Sequence, residues 1–164
     1  MNIIQPKQII GVSIVLRFVE ANDNDEIYDL LSDDDVMKFI GPRKGLDKNQ
    51  VHSWICQNIR EYEDGWNRWA IADKEKNEFI GMVGIKSIGG IYDFGYYIRK
   101  KYWGHGIAKS AIVLAMRCLK ELDIKYEIFV NEENTRSLYL IRSVLSQRGD
   151  LICKNEEIGF VFHV

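Results

Sequence analysis

The segment Tyr96-Tyr97-Ile98-Arg99-Lys100-Lys101-Tyr102-Trp103-Gly104-His105-Gly106-Ile107-Ala108-Lys109-Ser110 constrains the fold more than any other part of the chain. Its first residues continue a strand-like run from Phe94, and its last residues open the apolar-rich helical stretch Gly106 to Leu122. A short strand follows at Glu127 to Val130, then a second helix at Thr135 to Gln147. Strand, helix and strand in that order call for a right-handed crossover between parallel neighbours. Upstream, Trp69 to Ala72, Phe79 to Ile88 and Phe94 to Arg99 are separated by a polar turn at Asp73 to Asn77 and by Gly89-Gly90, which is the pattern of an antiparallel meander. A meander joined to one crossover predicts an α+β domain with a mixed, mostly antiparallel sheet flanked by helices.

The flanking segments fit that frame. Ser13 to Val19 alternates as a half-buried first strand, with Val12, Ile14, Leu16 and Phe18 on one face and Ser13, Val15 and Arg17 on the other. Asn22 to Glu26 supplies cap candidates and first-turn acids for a helix whose inward face is Ile27, Leu30 and Leu31. Ser32 to Asp35 restarts a short helix carrying Val36, Met37, Phe39 and Ile40 and ended by Gly41-Pro42. Asp47 and Gln50 form a capping box for a helix with Val51, Trp54, Ile55, Ile59 and Tyr62 at its apolar spacing. Leu151 to Val164 divides at Asn155-Glu156-Glu157 into a closing strand pair. No repeat or linker interrupts the chain, so residues 1–164 are expected to be one domain.

Composition removes several function classes. A net charge of -2 argues against nucleic acid as a partner. No apolar run approaches a membrane span, and Ile9 to Leu16 is broken by Gly11 and Ser13 with no cleavage site after it, so neither insertion nor export is expected. Cys56, Cys118 and Cys153 are odd in number and lack a C-x-x-C pair, which speaks for reduced thiols in the cytoplasm and against a disulfide framework or zinc.

The glycine turn is the candidate binding element. A helix start reached through glycines offers unpaired N–H groups and a positive dipole end to an anion, although Gly104 and Gly106 also serve a plain tight turn. Two nucleotide patterns fail on the same residues. A dinucleotide fingerprint needs glycine or alanine where Lys109 stands. A phosphate loop ahead of Lys109-Ser110 needs glycines where Trp103 and Ala108 stand.

Lys101-Tyr102-Trp103-Gly104-His105-Gly106 instead resembles the Arg/Gln-x-x-Gly-x-Gly/Ala pyrophosphate loop of the GCN5-related N-acetyltransferases. With Gly95-Tyr96 ahead of it, the wording is similar to the branch that acetylates ribosomal-protein N-termini. The likeness runs from Leu16-Arg17 through Leu30-Leu31-Ser32-Asp33, Trp69-Ala70-Ile71 and Ile80-Gly81 to Asn134-Thr135-Arg136-Ser137, which matches an Asn-x-x-Ser/Ala motif. The resemblance implies a sheet splayed between its fourth and fifth strands and acetyl coenzyme A as acetyl donor, with no metal. Gly104, His105, Gly106, Ile107 and Ala108, with Lys101 at the motif's first position, would hold the pyrophosphate. Tyr96, Tyr97 and Ile98 would line the pantetheine arm, with Asn134 and Ser137 opposite and an N–H near Ile98 facing the oxyanion.

The chain departs from that pattern in places. The tyrosine that many relatives carry seven residues after the motif asparagine is Ile141 here. At about 100° per residue, Tyr139 is turned away from the Asn134 face and does not replace it. Leu145-Ser146 stands where a Gly-Phe pair is usual. Asp93 aligns with a glutamate of the ribosomal-protein branch and is the candidate catalytic base, against the alternative of a solvated turn carboxylate. His105 is expected to face solvent, and neither His52 nor His163 has metal-like spacing. Asp23, Asp25, Glu26, Asp29, Asp33, Asp34 and Asp35 read as caps and a solvated face, at helices that border the acceptor entrance in this family. Trp54, Trp66 and Trp69 read as core or cleft walls.

The sequence therefore points to a cytoplasmic N-acetyltransferase, monomer or homodimer, with a protein or peptide α-amine as acceptor. The alternatives are a polyamine or other small-amine acetyltransferase, an acyl-CoA-binding protein without turnover, and, least supported, a nucleotide-binding domain.

Overall fold

The computed structural model describes residues 3–164. Its strands are β1 (Gln8–Ile10), β2 (Ile14–Arg17), β3 (Trp69–Asp73), β4 (Phe79–Ile88), β5 (Ile91–Ile98), β6 (Glu127–Asn131), β7 (Asp150–Lys154) and β8 (Glu157–His163). The helices are α1 (Asn24–Leu31), α2 (Asp34–Met37), α3 (Lys48–Asp64), α4 (Ile107–Glu121) and α5 (Thr135–Leu145). One sheet runs β1-β2-β3-β4-β5-β6-β8-β7. Every neighbouring pair is antiparallel except β5 and β6, the pair joined by the α4 crossover. The expected gap between fourth and fifth strands thus lies between β5 and β6. The count moves by one because Gln8–Ile10, too short to show an alternation, pairs with β2.

The sheet is covered on both faces. Ala111, Ile112, Ala115 and Leu119 of α4 and Leu138 and Ile141 of α5 pack on one side, against Leu16, Trp69, Ile85 and Phe94. Ile27, Leu30 and Leu31 of α1, Val36 and Met37 of α2 and Val51 and Ile55 of α3 pack on the other, against Ala70, Phe79 and Met82. The half-buried reading of the first strand is corrected by this arrangement. All four residues of β2 are buried, Ile14 and Leu16 in the cluster with α4 and Arg17 against Asp23 and Asn77.

Two further corrections concern polar groups. Asp23 is not part of a solvated face: its side chain is 5% exposed and its carboxylate takes Nη1 of Arg17 at 2.8 Å and Nη2 at 2.7 Å. On α3 the capping box of Asp47 and Gln50 forms as expected, but Ile59 is exposed and Asn58 is buried in its stead. Asn58 accepts from Nδ2 of Asn67 at 2.8 Å, and Asn67 is tied to Gln5. This polar network holds the end of α3 against the chain entering β3. The closing hairpin turns at Asn155 and Glu156, both left-handed at φ 52° and 66°, as a two-residue turn matched to strand twist demands. Trp66 and Trp69 are buried and Trp54 is half-buried, in agreement with their reading as core. No helix among the described residues is long and apolar enough to cross a membrane.

Removing one partner of a buried bidentate pair strands the other charge. Asp23→Ala is therefore expected to cost about 3–5 kcal/mol. Urea unfolding checks it: the midpoint falls while the slope stays that of the wild type.

Candidate active site

β5 and β6 meet at a single register pair, Asp93↔Glu127, and then diverge. The other edge of β5 is fully engaged, paired with β4 from Ile91 to Ile98. Arg99 N–H donates to Ile80 C=O at 2.9 Å, which makes Gly81↔Ile98 a non-hydrogen-bonded pair. By the alternation of an antiparallel ladder, the main-chain groups of Tyr96 and Ile98 then point away from β4 into the gap. Trp103 Nε1 donates to Ile98 C=O at 2.8 Å, so the Ile98 N–H is left facing the opening.

That edge leads into the glycine turn. A 3₁₀ turn at Lys100–Tyr102 precedes Trp103, and Gly104 and Gly106 adopt φ of 80° and 75°. A Cβ at either would meet nothing within 4 Å, so backbone conformation rather than crowding demands glycine there. Gly106 is the N-cap of α4, no side chain caps that terminus and no acid lies in its first turn. The first N–H groups of the helix are thus available to an anion. His105 is exposed, as expected, while Ile107 and Ala108 are half-buried. Lys101 Nζ is held by Glu78 Oε1 at 2.6 Å, and this contact first among several holds the Glu78 carboxyl down at about 2. Arg99 anchors the same turn from beneath, bonding Asp29, Glu78 and Phe79 C=O. With Lys100 on Asp35 and Arg17 on Asp23, three members of the acidic cluster, Asp23, Asp29 and Asp35, are internally paired.

Across the gap stands the start of α5. Asn134 caps it, its Oδ1 accepting from Ser137 N–H at 3.3 Å. Ser137 is buried and its Oγ accepts from the Tyr96 hydroxyl at 2.9 Å, a bond that spans from β5 to α5. Burial raises the Tyr96 phenol above its ordinary value. Ile141 is 0% exposed and Tyr139 is 79% exposed, the rotation expected from helical spacing. Tyr139 therefore points away from the gap.

The odd residues of β5 face α1–α3. Asp93 lies within the strand opposite Lys86, which corrects the turn-carboxylate alternative. Its side chain is 26% exposed and takes Nη2 of Arg68 at 2.7 Å. Burial pushes the Asp93 carboxyl up, and the Arg68 charge opposes that rise. Tyr97, on the same face, is raised by burial. Arg68 is the residue that sequence reasoning misses. It stands just before β3, and the partner that reveals it lies far along the chain on β5. His52 and His163 are exposed, and among the described residues no group of three His, Cys, Asp or Glu is placed to hold a metal.

The unpaired edge of β5 and the uncapped start of α4 together suit a ligand with amides along its length and a phosphate at one end. Comparison with known proteins supplies the family. Residues 13–144 match the acetyltransferase (GNAT) domain model. The chain belongs to the GNAT acetyltransferase family and is by class an N-acetyltransferase. It is 30% identical over 145 residues to the uncharacterized N-acetyltransferase p20 of Bacillus licheniformis, covering 85% of this chain and 82% of that protein. A GNAT-family acetyltransferase from Bacillus anthracis superposes with a TM-score of 0.81 at 20% identity, over 96% of this chain and 97% of the other. RimL, described as the ribosomal L7/L12 alpha-N-protein acetyltransferase in complex with coenzyme A, superposes at 0.72 and 17% identity over 95% of each chain.

Because a Cβ at Gly106 meets open space, Gly106→Glu is expected to fold with about 1–2 kcal/mol of left-handed strain. Its carboxylate sits at the anion end of α4, so calorimetry should find coenzyme A binding abolished.

Proposed function

We propose that this chain, as one domain over residues 1–164, transfers the acetyl group of acetyl coenzyme A to the α-amine of a protein or peptide N-terminus in the cytoplasm. The observation that carries the reading is the open edge of β5 running into an uncapped, glycine-led helix start. In this reading N–H groups from Gly104 to Ala108 bind the pyrophosphate, with Lys101 contributing backbone because its ammonium is committed to Glu78. The pantetheine arm lies along Tyr96, Tyr97 and Ile98, facing Asn134 and Ser137. Tyr96 N–H, the unpaired donor of that edge nearer Asp93, stabilises the carbonyl oxygen as it gains charge. The amine nitrogen bonds to the thioester carbon, the carbon–sulfur bond breaks, and the thiolate takes a proton from solvent.

Asp93 is the base, receiving the ammonium proton directly or through water. Its acceptor follows from proton chemistry. At pH 7.4 an α-amine of pKa about 7.7–8.0 is roughly a fifth to a third neutral, whereas a lysine amine near 10.4 is neutral in about one molecule per thousand. One half-buried carboxylate is adequate help for the former. The internal pairing of Asp23, Asp29 and Asp35 with Arg17, Arg99 and Lys100 weakens the case for a polyamine acceptor. All three cysteines are free thiols, which supports a reducing compartment.

Incubation with acetyl coenzyme A, N-terminal peptides and polyamines, followed by mass spectrometry, tests the reading: acetylated peptide is expected. Polyamine products without peptide products would overturn it, and coenzyme A binding without any product would favour a non-catalytic role. Asp93→Asn should lower kcat/KM by at least about 100-fold. The deficit should shrink as pH rises and the amine sheds its own proton, with coenzyme A affinity unchanged. In the wild type, kcat/KM should fall as pH drops through the raised Asp93 pKa, because protonation removes the base.

A further inference from the structure

Arg68 is fixed before it reaches Asp93. Its carbonyl accepts from the Tyr62 hydroxyl at 2.6 Å, and its N–H donates to Asn67 Oδ1 at 2.8 Å. Its guanidinium lies flat on β5: a Cβ at Gly95 would come within 2.9 Å of Nη2, 3.0 Å of Nε and 3.2 Å of Cζ. Nε is buried there without an acceptor. The ion pair is consequently single-pronged, Nη2 to Oδ2, where a guanidinium presenting Nε and Nη2 together would engage both carboxylate oxygens. Among the described residues no protein donor bonds Asp93 Oδ1. The carboxylate keeps one oxygen for an incoming donor while a fixed positive charge stands beside it.

We propose that Arg68 is the specificity-determining residue of the acceptor site: it positions Asp93 with Oδ1 free and excludes polycationic amines in favour of an α-amine. This rests on the role proposed for Asp93. A polyamine brings two or more ammonium groups to within reach of an immobile guanidinium, and like charges in a half-buried site repel strongly. An α-amine brings a single charge, is partly neutral, and sits next to an amide carbonyl that can accept from a guanidinium N–H. Arg68 also opposes the rise that burial gives the Asp93 carboxyl. The other groups facing that carboxylate are Lys86 of β4, itself paired with Glu61 of α3 at 2.9 Å, Glu127 of β6, whose own neighbour is His163 of β8 at 3.3 Å, Lys154 of β7 and the Tyr97 phenol. Arg68 is the one hydrogen-bonded to it.

The test compares kcat/KM for an N-terminal peptide and for spermidine across pH in wild type, Arg68→Gln, Arg68→Lys and Gly95→Ala, with coenzyme A affinity as the folding control. Arg68→Gln should shift the peptide-to-spermidine ratio at least about tenfold toward spermidine. It should also move the acid limb of the peptide profile up by about one pH unit, since the charge that favours the ionised carboxylate is gone. Arg68→Lys should restore both in large part. Gly95→Ala keeps both ionic groups but pushes the guanidinium off the strand, so it should move ratio and limb in the same direction by less; it decides the matter if Arg68→Gln fails to fold. A ratio and acid limb unchanged in a folded Arg68→Gln or Gly95→Ala enzyme that still acetylates peptide overturns the role of Arg68 and leaves the α-amine reading standing. A wild type that acetylates spermidine and not peptide overturns both.

Discussion

The divergence of β5 from β6 after one register pair is the constraint on which the remaining architecture depends. A strand edge inside a sheet ordinarily finds its partner, because buried N–H and C=O groups without one are costly. Here the crossover through α4 brings β6 alongside β5 at Asp93 and then lets it go, so the main-chain groups of Tyr96 and the N–H of Ile98 are left without a strand partner. The opening survives because each side is held elsewhere. β5 is zipped to β4 from Ile91 to Ile98, β6 is paired with β8 from Glu127 to Asn131, and the Tyr96–Ser137 bond ties the edge to α5.

The same strand serves two chemistries because side chains alternate across it. Tyr96 and Ile98 point toward α4 and α5, where the proposed donor lies. Asp93, Gly95 and Tyr97 point toward α1–α3, where the proposed acceptor arrives. Charge is distributed to match. The start of α4 has no acid in its first turn, and Asp23, Asp29 and Asp35 of the first helices are paired with Arg17, Arg99 and Lys100. A phosphate can approach the helix end without an opposing field.

Local signals carried most of the fold into the sequence. The capping box at Asp47 and Gln50, the break of the closing strand pair at Asn155-Glu156 and the glycine turn ahead of α4 are each decided within a few residues, and each forms where the sequence marks it. Ile141 facing inward and Tyr139 outward follow from helical rotation alone. What was hidden depends on partners distant in sequence. Burial of Asp23 rests on where Arg17 points, the exposure of Ile59 on a polar network reaching Gln5, and the importance of Arg68 on Gly95 leaving room for it. A charged residue ahead of a strand carries no local mark that separates a solvated cation from one laid across an active-site strand.

The missing tyrosine at position 141 is intelligible in this light. A thiol with a pKa near that of free cysteine, about 8.5, departs tolerably as its anion, so a dedicated acid lowers a barrier that is already modest. The attacking amine has no such ease: while protonated it holds no lone pair, and the geometry of the site cannot substitute for removing that proton. In the proposed reading the Asp93 carboxylate, whose rise on burial the Arg68 guanidinium opposes and whose Oδ1 is left open, answers the harder of the two problems. Ile141 then fills space in the core beneath α5, where an apolar side chain adds burial that a phenol would have offset with an unpaired hydroxyl.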